Sequence, residues 1–167
     1  MRRGRLYLLL GSLITVGALV LAGTLFLPAA KATWSTARGV SAAGWNGQDF
    51  PTVAVDRQGD RLFAWAAVDT DVPGPFFQVQ TRIMPQGGTM GPIRTLSPVG
   101  PVALWPEVDV DDDGDGAVVW EQDDRVMARR VSRSGTVGTQ RTLSLEIPER
   151  GHRPNVVVSP GGRALVA

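Results

Sequence analysis

Apolar and polar positions along the chain follow two different patterns. From Leu6 to Leu27 there is no charged residue, which is long enough for one helix to cross a bilayer. Beyond Leu27 strong helical periodicity is absent. Short stretches alternate valine with polar residues, as half-buried strands do. One such pattern occurs three times: PTVAVDRQGDRLFAW from Pro51, PEVDVDDDGDGAVVW from Pro106 and PNVVVSPGGRALVA from Pro154. Each opens on proline, bends at a glycine (Gly59, Gly114, Gly162) and resumes with an apolar run, which ends in Trp65 and Trp120 in the first two.

The segments between them also match. Gln78–Ser97 aligns with Val126–Ser144 after one gap, placing Arg82 on Arg130, Gly87 on Gly135 and Arg94-Thr95-Leu96-Ser97 on Arg141-Thr142-Leu143-Ser144. Arg38-Gly39-Val40-Ser41 is a fainter echo. The period is about fifty residues, in the range of propellers and other arrays. It predicts four strands in a unit: Thr52–Val55, Leu62–Ala66, Phe77–Met84 and Ile93–Leu96, with counterparts Glu107–Val110, Ala117–Glu121, Arg125–Val131 and Gln140–Leu143. A third unit has Asn155–Val158 and Arg163–Ala167. Proline is expected at the start of the first strand of each unit, where no ladder donor is needed.

These units resemble the tandem repeats of exported bacterial β-propeller-like proteins, through Pro51, Val53, Ala54, Val55, Asp56, Gly59, Asp60 and Trp65, then Pro106, Val108, Val110, Asp111, Gly114, Asp115 and Trp120. The resemblance implies an all-β chain: four-stranded antiparallel blades of a partial β-propeller, open or truncated, after one N-terminal hydrophobic helix. A β-sandwich with internal similarity is the alternative fold. Sialidase-type propellers are a more distant likeness. Their S-x-D-x-G-x-x-W turn is not matched, and their tyrosine nucleophile has no counterpart because the only tyrosine is Tyr7. The expected organisation is a leader over 1–32 and a β region over 33–167. That region divides into a lead-in strand and loop (33–50), unit 1 (51–97), unit 2 (98–144) and an incomplete unit 3 (145–167). Closed propellers take four to eight blades. The expectations are therefore a fragment of a longer product, assembly with other chains, or an open array that self-associates through its strand edges.

Charge changes the picture at the N-terminus. Arg2, Arg3 and Arg5 precede the apolar stretch, and Ala30-Lys31-Ala32 follows it. That is the order of an export signal, with cleavage expected after Ala32. Retention as a membrane anchor is the alternative, and either outcome places the rest outside the cytoplasm. Without Arg2, Arg3, Arg5 and Lys31 the remainder holds 13 bases against 16 acids. A nucleic-acid partner is not expected of that balance. There is no cysteine, hence no disulfide scaffold.

Candidate chemistry is sparse. Asp109, Asp111, Asp113 and Asp115, with Asp112 among them, crowd the second turn. Asp109, Asp111, Asp113 and Gly114 match the opening of a calcium loop, but Trp120 stands where its bidentate glutamate belongs. The integrin-type propeller loop D-x-D-x-D-G-x-x-D is likewise incomplete, because its last place is Ala117. The first turn has two acids and the third has none, so bending the chain accounts for the turn without a metal. Calcium, relieving repulsion among the aspartates, is the other reading. Trp65 and Trp120 are expected in the core, each indole N–H with a partner. Trp45 and Trp105, on loops before a first strand, are the candidates for stacking on an extracellular glycan or gripping a protein. The arginines that recur in register are expected to pair with acids of adjacent strands. With His152 the only histidine, no histidine metal cluster can form within the chain, and no nucleophile elbow or phosphate loop occurs. No catalytic residue is assigned. The expected function is an exported binding or scaffold module. The alternatives are a non-catalytic part of a carbohydrate-active enzyme or a calcium-stabilised adhesion module.

Overall fold

In a computed structural model, residues 36–41, 47–69, 76–144 and 153–167 are described. The leader, and with it the expected N-terminal helix, lies outside them. The described residues are all-β and contain no helix, hence none long and apolar enough to cross a membrane. The first antiparallel sheet is formed by β1 (Gly47–Val55), β2 (Arg61–Asp69), β3 (Phe76–Met84) and β4 (Arg94–Thr95). The second consists of β5 (Ala103–Val110), β6 (Gly116–Gln122), β7 (Arg125–Val131) and β8 (Arg141–Thr142). Each runs in sequence order, strand beside successive strand. A hairpin, β9 (Val156–Val158) and β10 (Ala164–Val166), follows.

The hairpins β1–β2, β5–β6 and β9–β10 share one turn. At Asp56–Asp60 the first N–H donates to the fifth carbonyl (3.1 Å), and the Gly59 N–H donates to the first carbonyl (3.1 Å). The fifth N–H donates to the Asp56 carboxylate (2.8 Å). Asp111–Asp115 repeats all three bonds, and so does Ser159–Arg163, where a hydroxyl replaces the carboxylate. Ser132–Thr136, after β7, makes the same set. The glycine of each turn has positive φ, from 73° at Gly162 to 87° at Gly59. Side chains are disfavoured there, and this is the geometry of a type I turn closed by a glycine bulge. Any short side chain with an acceptor oxygen at the first position serves, so the turn survives the change from Asp to Ser.

The turns set register, and register decides which face is buried. Leu62 and Ala64 of the first sheet share a core with Val118, Trp120, Met127 and Val131 of the second. Leu96 and Trp120 are fully buried in it. Burying aliphatic side chains of this size contributes about 1.5–3 kcal/mol each. The opposite face of the second sheet, Ala117 and Val119, packs on Val156, Val158 and Val166.

Three details depart from expectation. Pro51 and Pro106 lie inside β1 and β5, not at their starts. Register shifts between Asp49 and Thr52 and between Leu104 and Glu107 accommodate them, since a bulge frees the ladder position that proline cannot fill. Residues 36–41 form no strand. The strand pairing also needs no gap between units: Gln80 faces Thr95 as Met127 faces Thr142, so Arg82 corresponds to Arg129 and not to Arg130. The Arg129-Arg130 doublet made the shifted match look as good.

The two sheets differ on one face. Opposite the Leu62 side, the first sheet sets Gln48, Trp65 and Gln80 together, through the pairs Gln48–Ala67 and Trp65–Gln80. The Gln48 amide atoms, Trp65 Nε1 and Gln80 Oε1 are buried there without hydrogen-bond partners among the described residues. The corresponding residues of the second sheet are Ala103, Trp120 and Met127. There the Trp120 indole N–H donates to Gln122 Oε1 at 3.1 Å. The expected indole partner is thus present for Trp120, and for Trp65 none lies among the described residues.

Gly116 marks the closest approach of the sheets: a Cβ there would stand 2.5 Å from Leu62 Cδ2 and 2.9 Å from the Asp109 carbonyl oxygen. Gly116→Ala is expected to destabilise the protein by about 1–3 kcal/mol through overpacking, measured by urea denaturation. Gly39→Ala, where a Cβ meets nothing, should leave the midpoint within error.

Candidate functional site

The acidic turn is built from residues with separate tasks. Asp111, buried at its head, uses Oδ1 to accept from the N–H groups of Asp113 (2.9 Å) and Asp115 (3.0 Å). Its Oδ2 lies against the next hairpin, 3.3 Å from where a Cβ on Gly162 would stand. Asp56 repeats this relation one turn earlier: its Oδ2 would be 2.8 Å from a Cβ on Gly114. Each acid therefore occupies the space that the glycine of the following turn leaves open. Asp109 Oδ2 accepts from the Val158 N–H at 2.6 Å, tying β5 to β9. Asp115 Oδ1 accepts from the Arg133 N–H at 2.9 Å. Asp112 pairs with Arg57 at 2.9 Å on the surface, a contact worth under about 1 kcal/mol. Asp113 is exposed.

Among the described residues no three acids or histidines converge on one point. The crowding in sequence is relieved in space by backbone N–H groups and, at Asp112, by Arg57, which hold negative charge as a cation would. Neither motif in the sequence reveals this, because a carboxylate looks the same whether it caps a turn or ligates a metal. Melting with and without millimolar calcium is expected to give transitions within about one degree of each other. A rise of several degrees, abolished by Asp113→Asn, would instead establish a calcium loop.

The arginines bond mainly to backbone rather than to adjacent-strand acids. Arg82 Nη1 donates to the Val40 carbonyl (2.9 Å) and Nε to that of Gly91. Arg130 donates to the Gly162 carbonyl. A half-buried ionic contact comes from an arginine that sequence matching did not single out. Arg133 Nε meets Asp60 Oδ2 at 2.7 Å, joining the loop after β7 to the first sheet's turn. The Gln86 N–H donates to the other Asp60 oxygen at 2.7 Å. That amide first, and then Arg133 and Arg61, hold the Asp60 carboxyl below its usual range against an opposing effect of burial. A depressed carboxyl stabilises the fold in full above its unfolded pKa, roughly pH 4, and loses that contribution as pH falls through the lower folded value. In an NMR titration Asp60 should ionise at lower pH than an ordinary aspartate. Arg133→Gln should move it up only partway, since the Gln86 amide remains.

The second candidate surface is aromatic. Trp45 lies outside the described residues, as does Trp34. Trp105 is not on a loop; it sits inside β5, at the bulge before Pro106, with φ of 49°. Phe50 occupies the matching bulge of β1, before Pro51, with φ of 53°. A left-handed backbone costs a bulky residue about 1–2 kcal/mol, and the residue before a proline is normally extended. The two rings meet edge to face, with centroids 5.9 Å apart and planes at 62°. Arg153, the residue before Pro154, places its guanidinium over the Trp105 ring at 5.9 Å. The residues preceding the three matching prolines thus form one continuous row, Phe50–Trp105–Arg153. Among the described residues Arg153 has no acidic partner. Phe50 and Arg153 escaped the sequence reading, although their place before each proline was a usable signal. Thr52 Oγ1 donates to Glu107 Oε2 at 3.3 Å beside the row, linking β1 to β5.

No family model matches this chain, and no curated protein does.

Proposed function

We propose that the chain is an exported repeat protein whose four-stranded sheets are the blades of a β-propeller-like array, and that it acts as a binding or scaffold module without catalysis of its own. Export rests on the basic residues, apolar stretch and Ala-x-Ala of residues 1–32. The like-unit reading is supported by the common strand order of the two sheets and the common turn of the three hairpins. Its period is about fifty residues.

The observation that carries the binding role is the row Phe50–Trp105–Arg153. Two bulky residues held in left-handed backbone persist only where the surroundings over-determine them, and such strain gathers at ligand clamps. Phe50 is 40% exposed, and Arg153 is exposed as well. Aromatic rings beside a guanidinium offer an apolar face for stacking and donors for hydroxyl or carboxylate oxygens. An extracellular glycan fits this chemistry best; a protein loop presenting the same groups is the second kind of ligand it accepts.

The full chain, screened on an array of neutral and acidic glycans, is expected to retain a subset. Trp105→Ala should weaken that binding at least about tenfold, with the fold unchanged by circular dichroism. Retention of no glycan, or binding indifferent to both Trp105→Ala and Phe50→Ala, would remove the glycan reading.

A further inference from the structure

A cleft of about 220 Å³ lies between the first sheet and the loop that follows β7. Thr81, Ile83 and Arg94 line it from the first sheet, and Val131, Arg133 and Ser134 from the other side. Arg94 pairs with Thr81 across β3 and β4, and residues opposite each other in a ladder share one face. Arg94 also stands two places before Leu96, which is buried in the core that the sheets share. Strand alternation therefore turns Arg94 toward the second sheet. Arg133 comes from the opposite direction. β7 buries Val131 in the shared core, and Arg133, two residues on, reaches Asp60.

Among the described residues that line the cleft there are three arginines and no acid. Arg82, whose side chain starts on the face away from Thr81 and Ile83, is held by the carbonyls of Gly91 and Val40 and fixes the wall. Arg133 gives its Nε–H to Asp60 at 2.7 Å, which leaves the donors of its two terminal amino groups. Its side chain is 51% exposed. Asp60 is already occupied, since its other oxygen accepts from the Gln86 N–H. Arg94 is exposed, and among the described residues it has no acidic partner. The turn does not require arginine at 133. Gln86 holds the corresponding place in the first sheet, its N–H meeting Asp60 as that of Arg133 meets Asp115.

We infer that this cleft is a binding site for a sulfate or phosphate group. Guanidinium groups meet the oxygens of such anions with paired donors. Arg94 stands on one side of the cleft, and Arg133 with the Ser134 hydroxyl on the other. A tetrahedral oxyanion presents oxygens to both sides at once, whereas a carboxylate has two oxygens in one plane. Ile83 and Val131 give the cleft apolar sides, and a less polar surrounding strengthens each charged contact. The volume is below the roughly 300–1,000 Å³ of pockets that enclose drug-sized molecules, so the cleft takes one such group and little of what carries it. That group occurs as the free ion and as a monoester on a sugar. The inference depends neither on what the aromatic row binds nor on how the units assemble.

The probes are sodium sulfate, sodium phosphate and the sulfate monoester of galactose, each titrated into the full chain at constant ionic strength with chloride as the balancing ion. Saturable binding of sulfate and phosphate is expected by calorimetry, with the Nε–H signals of Arg94 and Arg133 shifting in NMR spectra. Arg94→Gln should weaken binding at least about tenfold. Arg94→Lys, which keeps the charge but not the paired donors, should fall between. Replacing Arg94 leaves the contact between Arg133 and Asp60 in place, so the fold should persist. Sulfate also stabilises proteins generally through exclusion from their surface. The melting temperature of the unaltered chain should therefore rise further with sulfate than that of Arg94→Gln. Trp105→Ala should leave the binding unchanged. A monoester held about tenfold more tightly than the free ions supports the site with the ester as its ligand, and equal affinities support it with the ion. No saturable binding to an intact fold, binding indifferent to Arg94→Gln, or acetate held as tightly as sulfate would overturn the proposal. Binding lost in Trp105→Ala but kept in Arg94→Gln would overturn it too, and would assign the anion to the aromatic row.

Discussion

A single side-chain oxygen accepting the amide four residues on governs this molecule. Asp56, Asp111 and Ser159 each hold a hairpin turn closed in this way. Strand register follows from the turn, and with a side-chain period of two a slip of one residue would send Leu62, Val118 and Val158 to the wrong faces. The same carboxylates reach sideways into the gap left by the following glycine. Asp56 and Asp111 therefore take part both in closing their own hairpins and in packing them on the next.

Close packing then constrains composition. The sheets approach until Gly116 meets Leu62, where no larger residue fits. Trp120 fills the centre of the interface and is satisfied by its own strand through Gln122. The ionic contact between Arg133 and Asp60 lies at the margin of this core and joins elements far apart in sequence. It orients two loops; the burial of Leu96, Val118 and Trp120 supplies more of the cohesion.

Much of the strand pattern was legible. Arg125–Val131 was placed to the residue, and the hairpin turns were announced by a short acceptor followed by glycine three places on. What was not legible has physical causes. A proline inside a strand reads as a boundary unless the bulge beside it is known, so the openings of β1 and β5 were taken for loop, and Trp105 with them. The arginine doublet at 129 and 130 offered two alignments of equal quality, and only backbone pairing distinguishes them. The roles of the five aspartates depend on distances of a few tenths of an ångström. The row of Phe50, Trp105 and Arg153 joins three unlike residues, so a comparison by identity passed over what a comparison by position would have found.

Among the described residues the Gln48 amide, Trp65 Nε1 and Gln80 Oε1 find no hydrogen-bond partner, and this sets the first sheet apart from the second. The second sheet offers Ala103 and Met127 at those places and lies flush on an apolar neighbour. A neighbour of that kind would leave the first sheet's polar atoms stranded, at about 1–3 kcal/mol apiece. The two sheets are consequently not interchangeable: one face asks its neighbour for donors and acceptors, and the other asks only for apolar contact.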